Sequence, residues 1–266
     1  MPVRTEKAGP VWTVVMSRPQ QRNAVDHEHA EALYEAFLTF DRDQDARVAV
    51  FWGEGGAFCA GWDLKAAAAG AGSNLLAGLD IPADPLALLP RGPMGPSRLE
   101  LSKPVIAAVE GPAVAGGMEL AMWADCRVMA EDAYFGVYCR RWGIPLIDGG
   151  TVRLPRLVGL GKALDIIMTG RKVTAEEAYR IGLAERIVPP GEARAQAEAM
   201  AAEIARFPQR CMQADRRSAY AAWGKSVRDG LASEWASSAH VLKNEGVAGA
   251  ARFASGKGRG GNFGEI

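Results

Sequence analysis

The protein has 266 residues, and its 31 lysine and arginine residues are balanced by 31 aspartate and glutamate residues, so the formal net charge at pH 7 is zero. Such a balance, with the basic residues dispersed along the chain, argues against a nucleic-acid or acidic-membrane partner. The length suffices for a full hydrophobic core, and 31 glycines and 15 prolines in a chain that is 48% hydrophobic are typical of a compact, loop-rich α/β protein.

Targeting and metal-binding patterns are not found in the sequence. The N-terminus lacks the apolar stretch of a signal peptide and no run of about 18 apolar residues occurs, so we expect a cytoplasmic protein without a membrane partner. His27 and His29 are two residues apart and would point to different sides of a helix, which makes a metal site or a Ser-His-Asp triad on them unexpected. We expect reduced thiols, since no metal-type or disulfide-type spacing relates Cys59, Cys126, Cys139 and Cys211.

The first predicted elements form a β-α-β unit. Pro10 to Met16 predicts a strand, and Arg47 to Trp52 predicts a second one. Between them, Asp26 can cap a helix whose apolar residues recur every three or four positions, namely Ala30, Leu33, Phe37 and Phe40. The two strands are therefore expected to be parallel neighbours in one sheet.

Small residues follow the second predicted strand. Ala60 and Gly61 lie within Phe58 to Lys65, beyond the carboxyl end of the strand, where ligands of open α/β sheets collect. Residues 66 to 96 are rich in Ala, Gly, Pro and Leu without clear periodicity. A loop of this length is usually either mobile or a wall of a binding site.

The stretch from Lys103 to Asp125 predicts a strand, a glycine turn and a buried helix. Val105 to Val109 is short, apolar and β-branched, and the residues after Gly116-Gly117 are apolar on every face of a helix. Glu119 lies in the first turn of that helix. It is either an acid favoured by the helix dipole, or a catalytic carboxylate near free first-turn amides that can bind a developing negative charge.

Further short elements are predicted towards the C-terminus. Arg127 to Ala130 and Ala133 to Gly136 are typical of strands, and Gly149-Gly150 should end one element and begin another. Thr174 and Glu177 form a capping box for a helix through about Ile181, and residues 185 to 188 predict a last strand.

From Gly191 onward the sequence predicts helices only. Ser226 caps one whose apolar face could pack within the chain or form a subunit interface. That face comprises Val227, Leu231, Trp235, Ala239 and Leu242.

Four stretches together resemble the enoyl-CoA hydratase/isomerase (crotonase) family. They are Arg18-Pro19 with Asn23-Ala24, Phe58 to Lys65, Lys103 to Asp125, and Phe135 to Leu154. The resemblance covers most of the chain and implies an α/β spiral of β-β-α units over residues 1–195, which would hold the acyl-CoA site. It also implies a C-terminal α-helical region over residues 196–266, acting in oligomerisation or as a lid, and assembly as a homotrimer or homohexamer.

The resemblance also implies an acyl-CoA substrate and no separate cofactor. In relatives two backbone amides stabilise a thioester enolate, and these match Ala60 and Gly116. The positions that match CoA-contacting residues are Ala24, Ala60, Gly61, Trp62, Asp63, Leu64 and Gly116. For Asp63, a solvated helix cap is the structural alternative.

Glu119 matches the first of the two glutamates that hydratases of this family use. It would activate the water that attacks the β-carbon, while a second acid protonates the α-carbon. That second position falls on Cys139, whose thiol could donate a proton but could equally be an inert core residue. Asp148 could compensate as a second catalytic residue, or it could only cap the Asp-Gly turn.

The sequence thus predicts hydration or dehydration of a 2-enoyl-CoA with Glu119 as base. One alternative is a double-bond isomerase acting on enoyl-CoA or dienoyl-CoA with Glu119 and Asp148. Another is an acyl-CoA-binding protein without activity, which the loss of the second glutamate would permit.

Overall fold

A computed structural model of the protein describes residues 1–69, 77–84, 87–258, 260 and 264. The chain divides into two compact units, Met1–Ala201 and Ala202–Ile266. None of the described helices is long and apolar enough to cross a membrane.

The first unit is built on two sheets. The strands are β1 (Val3–Ala8), β2 (Val11–Met16), β3 (Val48–Gly53), β4 (Val105–Val109), β5 (Pro112–Val114), β6 (Cys126–Ala130), β7 (Tyr134–Gly136), β8 (Lys172–Thr174) and β9 (Arg186–Val188). One sheet has the order β1-β2-β3-β4-β6-β9 and the other β5-β7-β8. In the larger sheet only β1 and β2 pair antiparallel, and the remaining neighbours are parallel.

Seven α-helices begin in the described part of this unit. They are α1 (His27–Arg42), α2 (Leu64–Ala68), α3 (Gly116–Trp123), α4 (Gly150–Val158), α5 (Leu160–Thr169), α6 (Ala175–Arg180) and α7 (Ala193–Arg206). The predicted β-α-β unit is confirmed as β2-α1-β3, with the two strands parallel. Asp26 caps α1 as expected, since its carboxylate accepts the N–H of His29 at 2.9 Å.

Aromatic residues fill the core beneath the sheet. Phe37 of α1 packs edge-to-face on Phe51 of β3 and on Trp123 of α3, with ring centroids 5.1 and 4.8 Å apart. Every residue of β2 and β4 is buried, as expected for central strands covered on both faces. This packing fixes α1, β3 and the end of α3 relative to one another.

The sequence did not predict β1, β5, β8 or α5. Edge strand β1 is largely polar and half-exposed, so it lacks the apolar run by which buried strands are found. Strands β5 and β8 have three residues each, too few to give a periodic pattern.

The second unit is helical, as predicted. Its elements after α7 are α8 (Gln209–Ala221), α9 (Val227–Val241), a π-helical turn (Leu242–Gly246) and α10 (Val247–Ala254). Ser226 caps α9 by accepting the N–H of Asp229. The predicted apolar face is largely uncovered in the single chain, with Trp235 72% and Val227 82% exposed. Its role in assembly or as a lid stays a prediction.

Candidate active site

A cavity of about 700 Å³ lies in the first unit. Its walls come from the segment before α1, the segment joining β3 to α2, the start of α3, residues 91–94 and residues 139–148. Eight of the nine predicted site residues line it: Ala24, Ala60, Trp62, Asp63, Leu64, Gly116, Glu119 and Asp148. Of the long loop over residues 66–96, positions 70–76 and 85–86 lie outside the described residues.

Gly61 is the ninth residue, and it does not line the cavity. Its backbone has a φ of +94°, and a Cβ built on it would lie 2.9 Å from the Cβ of Ala115 and 3.1 Å from the amide nitrogen of Gly116. Gly117 similarly faces Cys59, where a built Cβ would clash with the carbonyl group. The two glycines let the segment after β3 approach the start of α3 closely.

Ala115 makes the turn from β5 into α3. Its φ of 53° and ψ of −127° are unusual for a residue with a Cβ, and such backbone strain costs about 1–3 kcal/mol. The conformation is held because the Ala115 N–H donates to the carbonyl of Gly136 at 2.8 Å, and the Ala115 carbonyl accepts the N–H of Met118 at 3.0 Å. As a result α3 begins abruptly at Gly116, at the cavity.

The backbone amides at the cavity correct one prediction. The N–H of Ala60 donates to the carbonyl oxygen of Arg22 at 2.9 Å, so it is not free to bind a substrate oxygen. Among the described residues, no acceptor is found for the N–H of Trp62 or of Gly116, and both residues line the cavity. Ala60 was assigned to this role from its match to the family motif, and its small side chain agreed with that assignment. The direction of an amide depends on the local backbone, which residue size does not reveal.

Glu119 is 3% exposed, and its carboxylate is held by two backbone amides. Its Oε1 accepts the N–H of Asp148 at 2.9 Å and that of Gly150 at 2.8 Å. Burial and the nearby negative charge of Asp148 raise the pKa of Glu119 from 4.5 to about 7, although the two amides oppose the rise. A carboxylate with such a pKa can accept and return a proton near neutral pH.

Asp148 is also buried, and its side chain is turned towards residues 91–98. Its Oδ1 accepts the N–H of Met94 at 2.9 Å and the hydroxyl of Ser97. Burial raises the pKa of Asp148, and these hydrogen bonds oppose the rise. The side chain therefore links segments about 50 residues apart, which differs from the local turn cap considered from sequence.

Cys139 lies in the cavity wall and is 6% exposed. Burial and the neighbouring Glu119 carboxylate raise the pKa of its thiol, so at neutral pH the group is a protonated thiol and not a thiolate nucleophile.

Asp63 does cap a helix, since it accepts the N–H groups of Lys65 and Ala66 at 3.1 Å each. It also pairs with Arg18, whose guanidinium binds the carbonyl of Ala24 at 2.6 Å. Although burial opposes the change, the Ala66 amide and the Arg18 charge hold the pKa of Asp63 below its usual range. Arg18 thus joins two predicted contact residues, and its role was not evident from the sequence.

Comparison with known proteins identifies the family. The model for Enoyl-CoA hydratase/isomerase matches residues 6–246. The chain is 38% identical to Enoyl-CoA hydratase EchA19 of Mycobacterium tuberculosis over 220 residues, which are 80% of this chain and 78% of that protein. It is 40% identical to Carnitinyl-CoA dehydratase of Salmonella arizonae over 204 residues, 76% of this chain and 74% of the relative.

Solved structures agree with this result. A crystal structure of an enoyl-CoA hydratase from Mycobacterium tuberculosis superposes with a TM-score of 0.86 at 33% identity and covers 96% of each chain. An enoyl-CoA hydratase EchA1 from Mycobacterium marinum gives a TM-score of 0.85 at 30% identity, again with 96% of each chain covered. The predicted fold class, an α/β spiral with C-terminal helices, is confirmed, and the chain belongs to the enoyl-CoA hydratase/isomerase (crotonase) family.

Proposed function

We propose that the protein hydrates a 2-enoyl-CoA thioester, or dehydrates the corresponding 3-hydroxyacyl-CoA, with Glu119 as the base. The observation that carries this proposal is the buried Glu119 carboxylate, with a pKa of about 7, in the same cavity as two backbone amides without acceptors among the described residues. Relatives named as an enoyl-CoA hydratase and a carnitinyl-CoA dehydratase support it.

The amides of Gly116 and Trp62 would form the oxyanion site. Both can donate to the thioester carbonyl oxygen and stabilise the enolate that forms when a nucleophile adds to the β-carbon. Trp62 replaces Ala60 in this role because the Ala60 amide is already bound to Arg22. One such donor contributes on the order of 100-fold to 1,000-fold in rate.

Glu119 would carry out both proton transfers of the reaction. As water attacks the β-carbon, its O–H bond breaks and the proton moves to Glu119. The new C–O bond leaves an enolate, and the Glu119 carboxylic acid then returns the proton to the α-carbon, which regenerates the carboxylate. Dehydration is the reverse sequence. This scheme needs no second acid, which fits the thiol at position 139 and the engaged side chain of Asp148.

The remaining cavity residues would bind the rest of the substrate. Ala24, Asp63 and Leu64 line the wall that would face CoA, and the cationic side chains of Lys65 and Arg22 in the same wall suit its phosphate groups. Assembly as a trimer or hexamer is also proposed, with the exposed apolar face of α9 available for subunit contact.

The test is the loss of the conjugated thioester absorbance of a short 2-enoyl-CoA on adding the protein. Steady loss with formation of 3-hydroxyacyl-CoA is expected. No loss by a folded protein that binds CoA would reject hydration. Conversion of a 3,5-dienoyl-CoA in that case would support the isomerase alternative, and failure with both substrates would support a binding protein.

The rate of hydration should depend on pH through Glu119. Because the base must be ionised, and its pKa is about 7, kcat/KM should fall about tenfold per pH unit below pH 7 and level off above it. Initial rates on one 2-enoyl-CoA across this range measure the effect. A rate that stays constant from about pH 5 to pH 8 would exclude a base with this pKa.

A further inference from the structure

Residues 91–94 form part of the cavity wall, and the Asp148 side chain holds this wall in place. Gly92 and Gly95 exchange two backbone hydrogen bonds of 2.9 Å, which closes a tight turn around Met94. Asp148 Oδ1 binds the Met94 N–H at 2.9 Å and the hydroxyl of Ser97 just beyond the turn. A single carboxylate oxygen therefore fixes both the turn and the segment after it.

Met94 is the residue of this wall that contacts the oxyanion site. Its side chain is 2% exposed, and a Cβ built on Gly116 would lie 2.8 Å from the Met94 sulfur. The thioether therefore packs directly against the residue whose amide we assign to the substrate carbonyl. A shift of Met94 would change the space available to the acyl group next to that carbonyl.

The backbone of Asp148 acts on Glu119. Its N–H donates to Glu119 Oε1 at 2.9 Å, and its carbonyl accepts from the guanidinium of Arg153 at 2.9 Å. The same guanidinium binds the carbonyl of Ser97 at 2.7 Å. One residue thus orients the base through its main chain and the acyl wall through its side chain.

We propose that Asp148 is a positioning residue that couples the orientation of Glu119 to the acyl-pocket wall at Met94, and that it is not the proton donor of the reaction. The inference rests on the proposed function, in which Glu119 is the base. The second oxygen of Asp148 is not needed for this role, and neither is its charge.

Charged and titratable groups around Glu119 make the proposal testable by pH. Asp148 raises the pKa of Glu119, Arg153 lowers it, and the Cys139 thiol lies nearby as a neutral group. Removing the Asp148 charge while keeping its acceptor oxygen should therefore lower the pKa of Glu119 without moving the wall.

Asp148→Asn is the first variant, because the amide oxygen can still accept from Met94 and Ser97. We expect kcat at about pH 8 to change less than about fivefold, and the acidic limb of kcat/KM to move to lower pH. Asp132→Asn removes an exposed carboxylate outside the cavity wall and is the matched control. It should leave the acidic limb of the kcat/KM profile at the wild-type pH.

Asp148→Ala removes the acceptor as well as the charge. The turn at Met94 then loses its anchor, so we expect kcat to fall about 10-fold to 100-fold and KM to rise. Ser97→Ala, which removes one of the two donors, should change both constants in the same direction by a smaller factor.

Two results would overturn the inference. If Asp148→Asn loses as much activity as Glu119→Gln, Asp148 transfers a proton, and if Asp148→Ala behaves like wild type, it positions nothing. The difference in thermal stability between each protein and the same protein with Glu119→Gln, followed against pH, reads the Glu119 pKa without turnover. Asp148→Asn should shift the pH at which this difference changes. If that shift occurs while wild type converts no 2-enoyl-CoA, the proposed function fails and the coupling at Asp148 stands.

Discussion

Glu119→Gln should lower kcat for hydration of a 2-enoyl-CoA by about 100-fold to 10,000-fold, the usual contribution of a positioned acid-base group. Glutamine keeps an oxygen that can accept the amides of Asp148 and Gly150, so the loop at 148–150 should stay in place. It cannot take a proton from water, which is the step assigned to Glu119. Affinity for a saturated thioester such as acetyl-CoA should change little, so the loss should be in kcat and not in binding.

The same variant should be more stable than wild type at high pH, and this is the control for folding. The folded protein holds the Glu119 proton more tightly than the unfolded chain does, since the pKa rises from 4.5 to about 7. Wild-type stability from this group is therefore greatest below about pH 4.5 and falls as pH rises to about 7, by up to about 3 kcal/mol. Glu119→Gln should lack this fall. Equal pH dependence of the two proteins would contradict the assigned pKa.

Gly117→Ala should reduce kcat/KM by about 100-fold or more, because it moves the two oxyanion amides apart. A Cβ at this position would lie about 2.8 Å from the Cys59 side chain and would clash with the Cys59 carbonyl. That carbonyl accepts the N–H of Val114 at 3.0 Å, so the segment cannot yield without losing its bond to β5. The crowding should also cost about 1–3 kcal/mol of stability.

Gly161→Ala is the matched control for this substitution. Gly161 is an exposed residue of α5, and a Cβ built on it has nothing within 4 Å. The change should leave activity unaltered and stabilise the protein by up to about 1 kcal/mol through helix propensity. If Gly117→Ala retained activity within about threefold of this control, close approach of α3 to the segment after β3 would not be needed for catalysis.

Local pattern was sufficient to predict the centre of the fold. Strands β2, β3 and β4 are apolar runs between turn residues, and α3 is apolar on all sides. Their apolar sequence pattern alone therefore identifies them as buried elements. The edge strand β1 and the strands β5 and β8 of the second sheet were missed because their residues are polar or too few. The spiral arrangement came from the family resemblance and not from periodicity, which carries no information about how successive units stack.

Most of the predicted site residues line one cavity, but the sequence did not show in which direction the backbone amides point. Glu119 and Gly116 were found because a carboxylate and glycines in a buried helix start are conspicuous, and both line the cavity. The oxyanion amide was assigned to Ala60, but in the structure the Ala60 amide is bound to Arg22 and, within the described chain, the Trp62 amide is free to bind a ligand. The partners of Asp148, Met94 and Ser97, come from a segment with no pattern of its own, so only the folded chain brings them together.

The free amides of Trp62 and Gly116 link ligand affinity to melting temperature. Since the described chain supplies no acceptor for them, a thioester carbonyl that binds there adds hydrogen bonds that only the folded state can make. A ligand specific to the folded state stabilises it by about 2.7 kcal/mol at a free concentration 100 times its Kd. A series of acyl-CoA thioesters, ranked by the rise in melting temperature at equal concentration, would therefore order the acyl groups by affinity before any product is identified.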